Sequence, residues 1–128
     1  MTEFEIEIED RWFNAIRNNQ KQIEGKHLKN ADSTASKILK AFKNLEQGQK
    51  IILIFKSNGD EERRYLKTIT EHVSIQNMLE TYGIDKVLPG VKSIEEGKAI
   101  YANYYSLEHQ ATGVIALVIE SISESILE

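Results

Sequence analysis

The stretch Ile51-Ile52-Leu53-Ile54-Phe55-Lys56-Ser57-Asn58-Gly59 decides the fold of this 128-residue chain. Its first five residues form a continuous apolar run with the length of a buried strand. The pair Asn58-Gly59 is a strong signal for a two-residue hairpin turn, because both residues tolerate the positive φ angles that such turns require. We therefore expect an antiparallel return strand, running from about Glu61 to Val73.

Three further strands are predicted on either side of this hairpin. Residues 3–9 alternate glutamates with apolar side chains, which is the period of a strand with one buried face. A second strand is predicted over residues 21–27. Residues 114–119 are nearly all apolar and predict a last, central strand, and the tail, residues 121–128, fits either a continued strand or a frayed end.

Helical patterns separate these strands. A short helix is predicted over residues 11–18, with Asp10 suited to cap it, and a longer one over residues 32–47. Two more follow the hairpin, with Ser74 and Ser93 at their N-caps. Because the strands are few and the helices unequal, the order does not match regular parallel strand–helix–strand units. We expect one α+β domain over residues 1–128, a small mixed β-barrel with flanking helices.

Composition favours a soluble intracellular, cytoplasmic protein. Hydrophobic residues make up 41% and charged residues 28% of the chain, as in ordinary globular domains. No apolar run approaches the roughly 20 residues that span a bilayer, so no membrane partner is expected. The net charge is −4, yet all 16 basic residues lie between residues 11 and 105. That basic middle fits either an anionic partner or an ordinary solvated surface.

Three groups of side chains are candidates for a binding site. In an extended segment Glu24 and Lys26 share one face, with Lys21 on the opposite face, at the strand entrance or on the turn before it. Arg63 lies on the long hairpin arm, and Tyr104-Tyr105-Ser106 ends the last predicted helix. Basic side chains near exposed rings suit single-stranded RNA, because the charges hold phosphates and the rings stack on bases. The alternative is that Tyr101 and Tyr104 are core and the basic residues are surface.

Several kinds of site lack any support in the sequence. The chain has no cysteine, and His27, His72 and His109 do not have the spacing of metal ligands. Glycine-rich phosphate loops and the Gly-x-Ser-x-Gly elbow of serine hydrolases are both absent from the sequence. We therefore expect neither a metal nor a cofactor.

Four motifs in order resemble the ASCH domain, a branch of the PUA-like superfamily, over nearly the whole chain. They are Trp12-Phe13-Asn14-Ala15-Ile16, then Asn19-Gln20-Lys21-Gln22-Ile23-Glu24-Gly25-Lys26, then Gly48-Gln49-Lys50-Ile51-Ile52, and finally Tyr104-Tyr105-Ser106 with Gly113-Val114-Ile115-Ala116-Leu117. Two positions depart from the family pattern, since Asn19 replaces a glycine and Lys26 an arginine. The helix over residues 32–47 is longer than the family's usual connection, which marks it as an insertion near the groove.

The resemblance implies a barrel of about five strands and a cleft that contains Lys21, Glu24 and Lys26. The family is generally proposed to bind RNA. Some small bacterial members are amidohydrolases that act on acetylated cytidine with a lysine and a threonine. Lys21 matches that lysine, whereas Glu24 stands where the threonine would be.

Three functions follow as hypotheses. The first is a module that binds single-stranded RNA, a nucleotide or a modified nucleoside. In it, Lys21 and Lys26 hold phosphate or a base carbonyl, Glu24 accepts from a base amino group, a tyrosine stacks, and Arg63 adds charge. The second is a small hydrolase, acting on acylated cytidine or on RNA, with Lys21 and Glu24 as the acid–base pair. The third is a protein-interaction module that uses the acidic ends or the helix over residues 32–47. The sequence does not indicate an oligomeric state.

Overall fold

The computed structural model describes residues 2–122, which contain five strands and six helices. The strands are β1 (Thr2–Glu7), β2 (Ile23–His27), β3 (Ile51–Ser57), β4 (Asp60–His72) and β5 (Val114–Ser121). The helices are α1 (Asp10–Arg17), α2 (Thr34–Lys43), α3 (Ile75–Tyr82), α4 (Ile84–Val87), α5 (Ile94–Ala102) and α6 (Leu107–Gln110). Most of the tail over residues 121–128, predicted as strand or frayed end, lies outside the described residues.

The strands form one curled sheet in the order β1-β3-β4-β5-β2. Strands β1 and β3 are parallel, and the other neighbouring pairs are antiparallel. The predicted α+β class with a barrel-type sheet is confirmed as a curled half-barrel. Its two edge strands, β1 and β2, flank the open side.

The hairpin between β3 and β4 is confirmed at the predicted turn. Asn58 and Gly59 have φ angles of 49° and 87°, the positive pair that a type I′ turn requires. Asp10 does not cap α1, because the helix begins at Asp10 itself and its N-cap is Glu9. The Asp10 carboxylate instead accepts hydrogen bonds from the Ser57 hydroxyl at 2.5 Å and the Asn58 amide at 2.6 Å. These bonds fix the start of α1 against the hairpin.

Alternation along β5 divides the interior into two cores. Ile115, Leu117 and Ile119 face the first core, to which α1 and α2 contribute. Val114 and Ala116 face the second core, to which α3, α4 and α5 contribute. The middle of the sheet is therefore covered on both faces, which explains why this strand is almost entirely apolar.

The number of helices between β4 and β5 was predicted wrongly. Two were expected and four are present, because α4 and α6 span only four residues each and one turn is too short to show a helical period. The predicted serine caps are confirmed. Ser74 and Ser93 accept hydrogen bonds from the amides three residues on, at 3.0 and 3.1 Å. None of the helices within residues 2–122 has the length and apolar character needed to cross a bilayer.

Candidate functional site

A cavity of about 200 Å³ lies on the open side of the half-barrel, between the end of β1 and the length of β2. Its walls come from the end of β1 and the loop after it, the start of α1, strand β2, and the end of α5 with the chain that follows. It combines charged side chains with aromatic rings. The lining residues are Glu7, Ile8, Glu9, Trp12, Lys21, Glu24, Gly25, Lys26, Lys29, Leu88, Ile100, Tyr101, Tyr104 and Tyr105.

Five of the seven predicted site residues line this cavity, and two do not. Arg63 lies on β4, which β5 separates from β2, and it is paired with Glu3 at 3.1 Å and Glu61 at 3.8 Å. The expectation that Arg63 adds charge to the cleft is therefore wrong. Ser106 caps α6 by accepting a hydrogen bond from the His109 amide at 3.2 Å. Helix α2 packs into the first core and contributes nothing to the cavity lining, contrary to its expected place near the groove.

The turn between α1 and β2 places Lys21 at the inner end of the cavity. Asn19 takes the left-handed conformation that its residue type allows, with φ at 63°. The amides of Gln20 and Lys21 then both donate to the Ala15 carbonyl, at 2.9 and 3.0 Å. Because the chain turns here before β2 begins at Ile23, strand alternation does not govern Lys21. Its side chain meets Glu24 instead of pointing to the opposite face as predicted.

Lys21 is buried, with only 2% of its surface exposed. Its ammonium donates to the Ile23 carbonyl at 2.8 Å and to the Val87 carbonyl, and it pairs with Glu24 Oε1 at 3.1 Å. An ammonium has three N–H donors, so all of them have partners. Burial lowers the pKa of Lys21, while the neighbouring Glu24 carboxylate opposes that shift. The structural role of Lys21 is thus to hold Glu24 in place.

Glu24 and Lys26 share a face of β2, as the sequence predicted, and both line the cavity. The Glu24 side chain is 13% exposed, and its salt-bridge partner is the Lys21 ammonium. Lys26 is half-buried and forms no ion pair within the part of the chain that the structure describes. The cavity therefore presents a fixed carboxylate on its inner wall and a free cation further along the same strand.

Tyr101 and Tyr105 cover the free edge of β2. The Tyr105 hydroxyl accepts a hydrogen bond from the His27 amide at 3.4 Å. Tyr101, which was not among the predicted site residues, is 5% exposed, and its buried hydroxyl donates to no acceptor within residues 2–122. Burial, followed by the negative charge of Glu24, raises the pKa of Tyr101 well above its usual value and that of Tyr105 to about 12. Their spacing of four residues was the signal that could have linked them.

Solved structures of two other proteins resemble this one. The crystal structure of hypothetical protein PH0355 is 33% identical, with a TM-score of 0.74 over 94% of this chain and all of that one. This chain belongs to the same family as PH0355. A solution NMR structure of PF0455 from Pyrococcus furiosus is 30% identical, with a TM-score of 0.67 over 94% of this chain and 98% of that one. No family model and no curated protein matched the sequence.

In this member of the PH0355 family, the cavity rim carries charges of both signs. Glu7 and Glu9 lie on the wall that follows β1, and Lys26 and Lys29 lie on the β2 side. The Lys29 ammonium is 5.1 Å from the centre of the Tyr105 ring, within the range of a cation–π contact. Within residues 2–122, no group of three histidine or acidic side chains is placed to hold a metal ion. The cavity therefore offers hydrogen-bonding groups and rings in its interior, with cations on one side of its rim.

Proposed function

We propose that this protein is an RNA- or nucleotide-binding module of the ASCH type, and that its cavity receives a single unstacked base. The observation that carries the proposal is the Glu24 carboxylate, which Lys21 holds at 3.1 Å on the wall of a cavity lined by aromatic rings. A fixed acceptor among rings is the arrangement by which proteins read the edge of a base that has left its stack.

The size of the cavity supports a small occupant. Its volume of about 200 Å³ is below the roughly 300–1,000 Å³ of typical small-molecule sites. One base fits such a volume, and a paired helix does not. The chemistry of the wall also matches a base edge, since the Glu24 carboxylate accepts from an amino or imino group.

Charge at the rim supports a phosphate outside the cavity. Lys26 and Lys29 are free of ion pairs in residues 2–122, so their ammonium groups are available to an anion. In this arrangement Lys21 does not contact phosphate, because its three donors are already occupied. Its contribution to binding is to position Glu24, and this replaces the direct phosphate contact that the sequence predicted.

The test is a titration of short, mixed-sequence, single-stranded RNA at low salt. Glu24→Gln keeps the shape and an acceptor for Lys21 but places an amide against the base. A well-placed hydrogen-bonded pair contributes roughly 1–3 kcal/mol of discrimination by analogy with base reading in DNA, so affinity should fall by about 5- to 150-fold. Lys26→Gln should also weaken binding, whereas the matched control Arg63→Gln, outside the cavity, should not. If the wild-type protein does not bind RNA or nucleotides, the proposal is refuted.

Hydrolysis of an N4-acylated cytidine is a second candidate function. The observation that favours it is the contact between a buried lysine of lowered pKa and Glu24, since a carboxylate fixed in this way can act as a general base. Glu24 would take a proton from water while the oxygen attacks the acyl carbonyl, and the cytosine amine would leave with that proton. Turnover of N4-acetylcytidine measures this directly, and an equal rate in Glu24→Gln would remove Glu24 from the mechanism.

A further inference from the structure

A second depression adjoins the cavity along its outer side. It is lined by Glu9, Arg11, Trp12, Ile100, Asn103 and Tyr104. Four of these, Glu9, Trp12, Ile100 and Tyr104, also line the cavity itself. The two spaces therefore share a wall made of these four residues, and the second space, which we call the outer groove, reaches Arg11.

Arg11 is a free cation at the outer end of this groove. Its guanidinium carbon lies 4.4 Å from the centre of the Trp12 ring, which orients the group. The chain has four arginines, all within the described residues, and the other three are paired with glutamates at 2.8–3.1 Å. Arg11 forms no ion pair with residues 2–122. A planar guanidinium without a counterion is well suited to a phosphate group.

Tyr104 supplies an aromatic surface at the boundary between the two spaces. It is 47% exposed, one of only three large hydrophobic side chains in residues 2–122 that are this accessible. Exposed rings are where successive bases of a single strand stack, at roughly 1–3 kcal/mol per base. The position of Tyr104 next to both spaces places that surface beside a base that occupies the cavity.

We propose that the ligand is one nucleotide within an RNA strand, and that this outer groove is a second subsite for the neighbouring nucleotide. Arg11 contacts the phosphodiester, and the neighbouring base stacks on Tyr104. Glu9, whose side chain caps no helix amide, accepts from the ribose 2′-hydroxyl, which only RNA provides. This inference rests on the proposed function, and it adds that a free nucleoside fills only half of the site.

The experiment compares the affinities of nucleoside 5′-monophosphates and of homotetranucleotides of the same base, with wild type and Arg11→Gln. We expect the preferred tetranucleotide to bind at least about tenfold more tightly than its monophosphate, and its deoxy counterpart to bind less tightly. Arg11→Gln should abolish most of that gain and leave monophosphate affinity unchanged. Loss of one phosphate contact should also reduce the slope of log affinity against log salt by about 0.7. Arg17→Gln, on the same helix but outside the groove, is the matched control.

The outcomes separate this inference from the proposed function. If monophosphates bind but tetranucleotides bind no better, the second subsite is wrong and the base-binding cavity stands. If Arg11→Gln and Arg17→Gln reduce tetranucleotide affinity equally, the effect is one of general charge and the assignment of Arg11 is overturned. If neither probe binds to wild type, the proposed function is refuted, and the second subsite is refuted as well.

Discussion

Replacing Lys21 with methionine tests the central feature of the cavity. Methionine keeps an unbranched stem of similar length, so the change removes the charge with little loss of packing. The side chain of Lys21 is 1% exposed and that of Glu24 is 13% exposed. Loss of the ammonium therefore leaves a carboxylate without its cation in a poorly hydrated place. It also leaves the Ile23 and Val87 carbonyls without the donor that they share.

The expected cost is large relative to the stability of a small domain. Removing one partner of a buried ion pair costs about 3–5 kcal/mol, whereas domains of this size unfold with about 5–15 kcal/mol. We therefore expect Lys21→Met to lower the free energy of unfolding by about 3–5 kcal/mol. Adding Glu24→Leu should recover much of this loss, because the buried charge is then removed as well. Lys26→Met, on the same strand face but without an ion pair in residues 2–122, should cost less than about 0.5 kcal/mol.

Urea unfolding at several pH values provides the measurement and a second criterion. Burial lowers the pKa of folded Lys21 below its ordinary value of 10.5. At pH values between the lowered pKa of folded Lys21 and 10.5, the unfolded chain binds more protons than the folded protein. Lys21 therefore makes the free energy of unfolding rise with pH up to about 10.5. The rise should be absent in Lys21→Met. If that variant loses less than about 1 kcal/mol, or keeps the same pH slope, Lys21 is not the buried, paired ammonium described above.

Two further perturbations concern the same strand. Gly25→Ala should destabilise the protein by about 1–3 kcal/mol, since a Cβ there would lie 2.5 Å from Met78 Cε and 2.9 Å from the Tyr101 hydroxyl; an unchanged urea midpoint would contradict this. His27 is buried, and its Nδ1–H donates a hydrogen bond to the Thr112 carbonyl, 3.3 Å away. Burial lowers the pKa of His27 from 6.5 despite that hydrogen bond. The stabilising contribution of neutral His27 is complete above about pH 6.5 and is lost as the pH falls through the pKa of His27 in the folded protein. In thermal unfolding, the His27→Gln variant should lose less stability than wild type as the pH falls. Equal losses in the two proteins would contradict the assignment.

The sequence predicted those parts of the fold that depend on local signals. The Asn58-Gly59 turn fixes its own φ angles, and Ser93 caps a helix through an amide only three residues away. The alternation of glutamate and apolar residues around Ile6 likewise predicts a strand, whichever strand pairs with it. Each of these features is decided by neighbours in the chain, so tertiary contacts did not override them.

The parts that the sequence did not predict depend on contacts between distant segments. The residue type of Arg63 does not show whether its side chain faces a cleft or pairs with a glutamate. That depends on the strand order, which places β5 between Arg63 and the cavity. The sequence around Lys21 is that of an ordinary solvated lysine. In the structure, one of its hydrogen-bond partners is the Val87 carbonyl, 66 residues away in the chain. The apolar pattern around Tyr101 predicts a core residue, and its ring is indeed in the core. Its hydroxyl, however, lies against Gly25 at the edge of β2. Helical spacing alone could not show which strand that hydroxyl would reach.

The capture of the Lys21 ammonium by Glu24 changes the kind of recognition that this site would provide. Had Lys21 been free, the interior would attract any small anion, and affinity would depend on charge alone. With the Lys21 charge neutralised by Glu24, the interior offers a fixed acceptor and aromatic rings, while the free cations Lys26, Lys29 and Arg11 lie at the rim and in the outer groove. Under the proposed function, the identity of the base would be read inside by hydrogen bonds, and the strand would be held outside by salt-sensitive contacts. Variants at Glu24 should therefore change which base is preferred, whereas variants at Arg11 should change the salt dependence and leave that preference intact.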